Sequence, residues 1–312
     1  MSSLSQRHVS KDPLSSGHAK DGLRPTVDGG PPLLTVSWAE LPEWMRDNEY
    51  ILTGYRRELK SWRGCAGSVF GYLHNETVNI HSHLGAAFLF VGFLATFDST
   101  YFRAHASVTW VDRAVFAIFL SSAVFCLLSS AFYHMSSAHS EPIAAQCHAF
   151  DYSGIIVLTV GSFYPCIYYG FYCDQFYKVA YLSLITASGL GAAYIVLDPD
   201  YARPSHRGAR TTVFIALGLS GVLPVSHALV SHGFYTLCQE MGFQWLLASG
   251  ALYIIGALLY ANRFPERLAP GKFDIWFASH QIFHVFVVLA ALAHYVCILT
   301  AFDHWHSRRS IC

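Results

Sequence analysis

Residues 275–293 read IWFASHQIFHVFVVLAALA. The stretch holds no Asp, Glu, Lys or Arg, and about 20 mostly apolar residues suffice for a helix to cross the hydrocarbon core. Two imidazoles, His280 and His284, interrupt it one helical turn apart. Six further long runs lack the same four residue types: 77–97, 114–140, 152–173, 179–197, 211–239 and 241–262, with the last run reaching over 275–302. The pattern predicts an all-α fold, a seven-transmembrane helix bundle. A soluble fold with seven such runs would need an implausibly large core.

Composition agrees. The chain has 312 residues, 53% of them hydrophobic and only 13% charged, against about 25% charged in an ordinary soluble domain. The formal net charge is zero, so no electrostatic case for nucleic acid arises. The eight cysteines show no CxxC and no paired spacing, which fits apolar filling rather than a disulfide framework or a zinc ribbon. The polar first 35 residues lack the apolar core of a signal peptide. No internal repeat supports an inverted-repeat transporter.

Basic residues in short loops set the direction. With a cytosolic N-terminus, the inner loops hold Arg203, Arg207, Arg210, Arg263, Arg267 and Lys272, and the outer loops only Arg103, Arg113 and Lys178. The expected organisation is a disordered cytosolic tail (1–36), a cytosolic amphipathic helical segment (37–78), the seven-helix domain (79–302) and a short outer tail (303–312). The aromatic and charged residues of 37–63 predict a short amphipathic helix on the inner surface. The chain is read as a multi-pass protein of the plasma membrane or endoplasmic reticulum.

Direction gives depth. The seventh helix runs outward, so His280 and His284 lie in its inner half, on one face, where two nitrogens can grip one metal. The second helix runs inward and ends in LLSSAFYHMSSAHS, which puts His134 near its inner end. The third starts with AFDYSGII, which puts Asp151 there too. Three imidazoles leave one tetrahedral position open, the pattern of a catalytic zinc site. Asp151 beside such a metal would act as general base, and Ser130, four residues before His134, would donate to an oxyanion. Gln281 stands where a zinc protease carries Glu, so that reading fails. By depth alone His81 and His83 compete with His134, and spacing does not decide between them. His227, His232 and His294 fall too far outward.

Four stretches resemble the progestin and adipoQ receptor family, which includes the adiponectin receptors and the hemolysin III-like proteins. They are HNETVNIHSHL (74–84), SSAFYHMSSAHS (129–140) with DYSGI (151–155), PERLAPGKFDIWFASHQIFH (265–284) and LPEWMRDNEYILTGYR (41–56). The resemblance spans roughly residues 38–300. It implies seven helices, a cytosolic N-terminus and one Zn2+ near the inner face. It assigns the Ser-x3-His, Asp and His-x3-His positions to Ser130, His134, Asp151, His280 and His284, and so chooses His134 over His81. The family is also similar to alkaline ceramidases in its Ser, His and Asp set, which implies hydrolysis of a ceramide-like membrane lipid. The competing expectation is a receptor with structural zinc, signalling by conformational change to a cytosolic partner at residues 37–63. A zinc-conducting channel is disfavoured, because the fourth and sixth helices carry no charged residue or histidine.

Overall fold

The computed structural model describes residues 34–198 and 206–307. The expected tail over 1–33, Arg203 and residues 308–312 lie outside the described residues. Among those described, seven helices are long and apolar enough to cross a membrane, and the only sheet is a two-residue ladder. The protein is an integral, multi-pass membrane protein with an all-α seven-helix bundle.

Ahead of the bundle, β1 (Thr35–Val36) pairs antiparallel with β2 (Tyr55–Arg56). Between them run two single 3-10 turns, at Trp38–Glu40 and Glu43–Met45. The amphipathic helix expected over 37–63 is therefore displaced: helix α1 occupies Trp62–Gly71. Two breakers account for this. Pro42 is extended, with φ −63° and ψ 152°, and Gly54 sits at φ +81°, a conformation natural only to glycine.

The bundle follows as α2 (Thr77–Phe97), α3 (Trp110–Ser136), α4 (Glu141–Gly170) and α5 (Gln175–Val196). The fifth crossing is broken into α6 (Arg207–Leu219) and α7 (Val222–His232), and the short α8 (Phe234–Met241) follows it. Gly233, at φ +77°, separates α7 from α8. Then come α9 (Phe243–Ala261) and α10 (Ser279–Ser307). Helix α4 starts well before the charge-free run at 152, because Asp151 is buried within the helix rather than outside it. Helix α10 likewise continues through Asp303 to Ser307.

One core joins α2, α3, α4 and α10 through Phe90, Phe116, Phe119, Leu120, Leu127 and Ile298, all fully buried. A second joins α4, α5 and α6 around Ile156, Ile185, Val196 and Leu217. Where α3 begins and α10 ends, a polar knot closes the bundle. Asp112 Oδ2 accepts from Thr109 N and Oγ1 at 2.8 and 2.6 Å, and Asp112 Oδ1 from the Tyr169 hydroxyl at 3.0 Å. His306 Nε2 lies 3.0 Å from Asp112 Oδ1, and His306 Nδ1 2.8 Å from Ser107 Oγ. A carboxylate buried away from water needs such partners. At the same end, in the turn after α4, Cys173 is disulfide-bonded, so the expectation that the cysteines are apolar filling does not hold for it.

Helices α3 and α4 share the most extensive helix contact among the described residues. A methyl added at Gly154 would sit 2.5 Å from Ser129 Oγ and 2.9 Å from the Cys126 Cα. Small residues at a membrane helix crossing let the backbones approach in this way. Gly154→Ala is expected to push α3 off α4 at a cost of about 1–3 kcal/mol. Its melting temperature in detergent should fall clearly below that of Gly92→Ala, where an added methyl meets nothing within 4 Å. Equal melting of the two variants would refute the close packing.

Candidate metal centre

The site is built where α2 and α10 begin and α3 ends. A helix start leaves N–H groups unpaired and a helix end leaves carbonyls unpaired, and buried side chains satisfy both. Glu266, fully buried in the loop before α10, accepts from Ser279 N at 2.8 Å and from the Ser279 hydroxyl. Asp274 accepts from Leu52 N, Thr53 N and Thr53 Oγ1 at 2.9, 2.8 and 2.6 Å. Gln281 donates to Asn75 O and Ile275 O at 3.2 and 2.9 Å. The residue that stands in place of a protease Glu is thus a structural tie between α10 and the segment before α2. At the end of α3, Arg56 donates to the His134 carbonyl, to Met135 O at 2.8 Å, to Ser137 Oγ at 3.0 Å and to Ser68 Oγ at 2.9 Å.

These ties bring three imidazoles together. His134, His280 and His284 each offer one ligand atom, all within 4.8 Å of one another. Their ring centroids form a near-equilateral triangle of 4.9, 4.7 and 4.8 Å, with rings crossing at 77°, 72° and 74°. A tetrahedral ion with bonds of about 2.0–2.1 Å wants its nitrogens near 3.3 Å apart, so a small closure suffices. The outer nitrogens are already occupied. His134 Nδ1 lies 2.7 Å from Glu76 Oε2, and His284 Nδ1 lies 3.1 Å from Asn79 O. His134 Nε2 is left buried without a partner. Buried polar atoms are rarely left so, and this donor set fits a metal ion.

The remaining expected residues are close by. Ser130 and Asp151 are both buried and form part of the same cavity wall as His280 and His284. The two competing histidines are placed differently from one another. His81 Nδ1 turns back to Thr77 O at 2.8 Å. His83 instead stacks flat on His284, 3.7 Å between centroids at 14°, which fixes the plane of that ring.

Sequence reasoning did not find Glu76, Asn79, Arg56 or Glu266. A carboxylate directly before a span, as in HNET, was the available sign for Glu76. The Glu76 carboxylate is held by the Asn79 side-chain amide and the outer nitrogen of His134, both at 2.7 Å. Burial, and next the Arg56 charge, lower His74 to about 4. A neutral His74 can then accept from Glu76 N at 3.2 Å.

Two cavities meet at the triangle. One, of about 470 Å³, runs from Ser130, Asp151 and His284 past Ile155 and Phe163 to Phe243, and its lining is mainly apolar. The other, of about 970 Å³, is the more polar of the two, and its lining includes Glu76, Tyr133, His134, Asp274 and Gln281. His148, Arg210, Tyr260 and His280 border both.

A family model described as Haemolysin-III related matches residues 71–295. Among curated relatives, the yeast ADIPOR-like receptor IZH2 of Saccharomyces cerevisiae is 41% identical over 86% of this chain and 84% of its own. Progestin and adipoQ receptor-like protein 1 of Caenorhabditis elegans is 41% identical over 83% of this chain. The adiponectin receptor protein of Drosophila melanogaster is also 41% identical over 83%. The chain spans 59% of the nematode protein and 57% of the fly protein. A matched segment reaching from the start of the first span into the last, together with this identity, places the chain in the Haemolysin-III related, progestin and adipoQ receptor family.

Proposed function

We propose that His134, His280 and His284 hold one zinc ion and that the protein hydrolyses the amide bond of a ceramide-like membrane lipid. The observation that carries this reading is Asp151 with Ser130 in the wall of the cavity that meets the three histidines. A three-histidine structural zinc needs neither residue, and a buried carboxylate is costly without a task or a partner.

The apolar cavity accepts the acyl chain and excludes water from it. The polar cavity supplies water and receives the released polar product. When bound, zinc supplies a Lewis acid to the reacting carbonyl and to water. Asp151 accepts a proton from the attacking water and returns it to the leaving nitrogen, so that one water is consumed and a fatty acid and an amine are released. The Ser130 hydroxyl donates to the carbonyl oxygen as negative charge builds there.

The N-terminus and metal centre are placed on the cytosolic side, and the C-terminus outside. The arginines of the inner loops support this. So does Cys173, whose disulfide lies at the end of the bundle away from the histidines, as an oxidising compartment there requires. A second reading, a receptor with structural zinc and a cytosolic partner at residues 37–63, draws on the receptor names of the relatives. The experiments below separate the two.

Purified protein should carry about one zinc per chain by elemental analysis. His134→Ala, His280→Ala and His284→Ala should each lose most of it, since two remaining ligands hold zinc poorly. His81→Ala should keep it. An empty His81→Ala beside a full His134→Ala would break the ligand set.

Asp151→Asn should keep zinc and fold while losing release of fatty acid from ceramides in nanodiscs by about 100- to 10,000-fold. Fully zinc-loaded wild type that releases no fatty acid from any lipid amide would favour the receptor reading. Equal rates in both proteins would remove Asp151 as the base.

Asn75-Glu76-Thr77 forms an N-glycosylation sequon that the proposed topology keeps in the cytosol. It should stay unmodified in a glycosylating cell. A glycosidase-sensitive mass shift that disappears in Asn75→Gln would reverse the orientation.

A further inference from the structure

Glu76 opens helix α2 as its N-cap residue, yet its side chain makes no capping hydrogen bond there. The carboxylate is turned inward instead. Its Oε2 lies 2.7 Å from His134 Nδ1 and accepts from Asn79 Nδ2 at 2.7 Å, and its Oε1 accepts from Asn75 Nδ2 at 3.3 Å. We propose that Glu76 is the positioning residue and counter-charge of the metal centre, fixing His134 as an Nε2 ligand and lowering the net charge of the occupied site. The proposal rests on the metal reading above.

The tautomer follows from chemistry. A carboxylate only accepts, so the contact at 2.7 Å puts the His134 proton on Nδ1 and the lone pair on Nε2. That is the nitrogen left buried and unpartnered. A hydrogen-bonded carboxylate also makes the imidazole a more basic ligand and fixes its ring direction. The same short segment treats His284 differently, offering it the neutral Asn79 carbonyl at 3.1 Å. Charge gives the second argument. Three neutral imidazoles with a divalent ion carry two positive charges into a setting that strongly disfavours uncompensated charge. Asp151 supplies one negative charge and Glu76 supplies the other. Glu76 acts on the metal through His134, whose outer nitrogen it holds.

The test uses full-length protein in detergent, stripped of metal by a chelator. Zn2+ affinity is measured by competition with a chromogenic chelator, and Co2+ is added to read the visible absorption of the site. Glu76→Ala should weaken Zn2+ binding by about 10- to 100-fold. Glu76→Gln keeps a hydrogen-bond acceptor and loses the charge, so it should fall between Glu76→Ala and wild type, with a shifted Co2+ spectrum. Metal-free wild type and Glu76→Gln should melt alike. Wild-type affinity and spectrum in Glu76→Gln and Glu76→Ala would overturn the proposal while leaving the metal reading intact. Loss of metal affinity matched by an equal loss of metal-free stability would also overturn it, because Glu76 would then be holding the fold. Wild-type protein that binds neither ion would overturn the metal reading and this proposal with it.

Discussion

Arg56 is 1% exposed, and the arrangement at this end of the bundle depends on what it donates to. A helix that ends inside a protein leaves carbonyls that need donors. The Arg56 guanidinium answers two of them, at His134 and Met135, and ties in Ser68 and Ser137. Backbone contacts run beside it: Leu59 N and Lys60 N donate to Ala138 O and His139 O at 2.8 and 2.9 Å. The end of α3 is therefore held by the segment that precedes the first span. That segment is in turn held by Asp274 from the chain leading into α10 and by Gln281 in its first turn. Each of the two helices that carry the histidines is fixed through residues 52–79 rather than by direct side-chain packing alone.

The two cavities give the triangle a polar side and an apolar side. Arg210, His148 and Tyr260 stand at their shared border, and Arg210 lies over the Tyr152 ring at 5.0 Å. Such a boundary suits a molecule with a long apolar body and a compact polar head. Much of the apolar lining comes from α4, α6 and α9, while the polar groups come from α2, α3 and the start of α10, joined by His148 and Asp151 of α4 and Arg210 of α6.

Much of this was legible in the sequence because a membrane imposes one simple rule, that a span carries few charges. The rule located all seven crossings. It misplaced the start of α4, since Asp151 is a buried polar residue inside a helix and a charge filter ends the run there. It also missed the break in the fifth crossing at Ser220–Gly221 and the end of that crossing before Gly233, which depend on local backbone conformation. The i,i+4 pair His280 and His284 was readable from helical geometry, and depth brought His134 and Asp151 to the same end. Depth could not separate His134 from His81. That choice turns on which face of α2 looks inward, and there His81 turns back to its own helix. Glu76 and Arg56 were hidden for a different reason. Charged residues outside a span look like solvated loop residues until the fold covers them.

Helix α10 is tied at both ends. Glu266 holds its first turn, and at the far end His306 is bound to Asp112, itself bound to Tyr169 of α4. A rod pinned at both ends neither slides nor turns easily along its axis, so it acts as the fixed mast of the bundle. The fifth crossing is made differently, from two shorter pieces, α6 and α7, that meet at Ser220–Gly221. Short jointed pieces yield where a continuous rod does not. His280 and His284 therefore ride on the stiffest element of the bundle, and give between the helices falls first on the joint between α6 and α7.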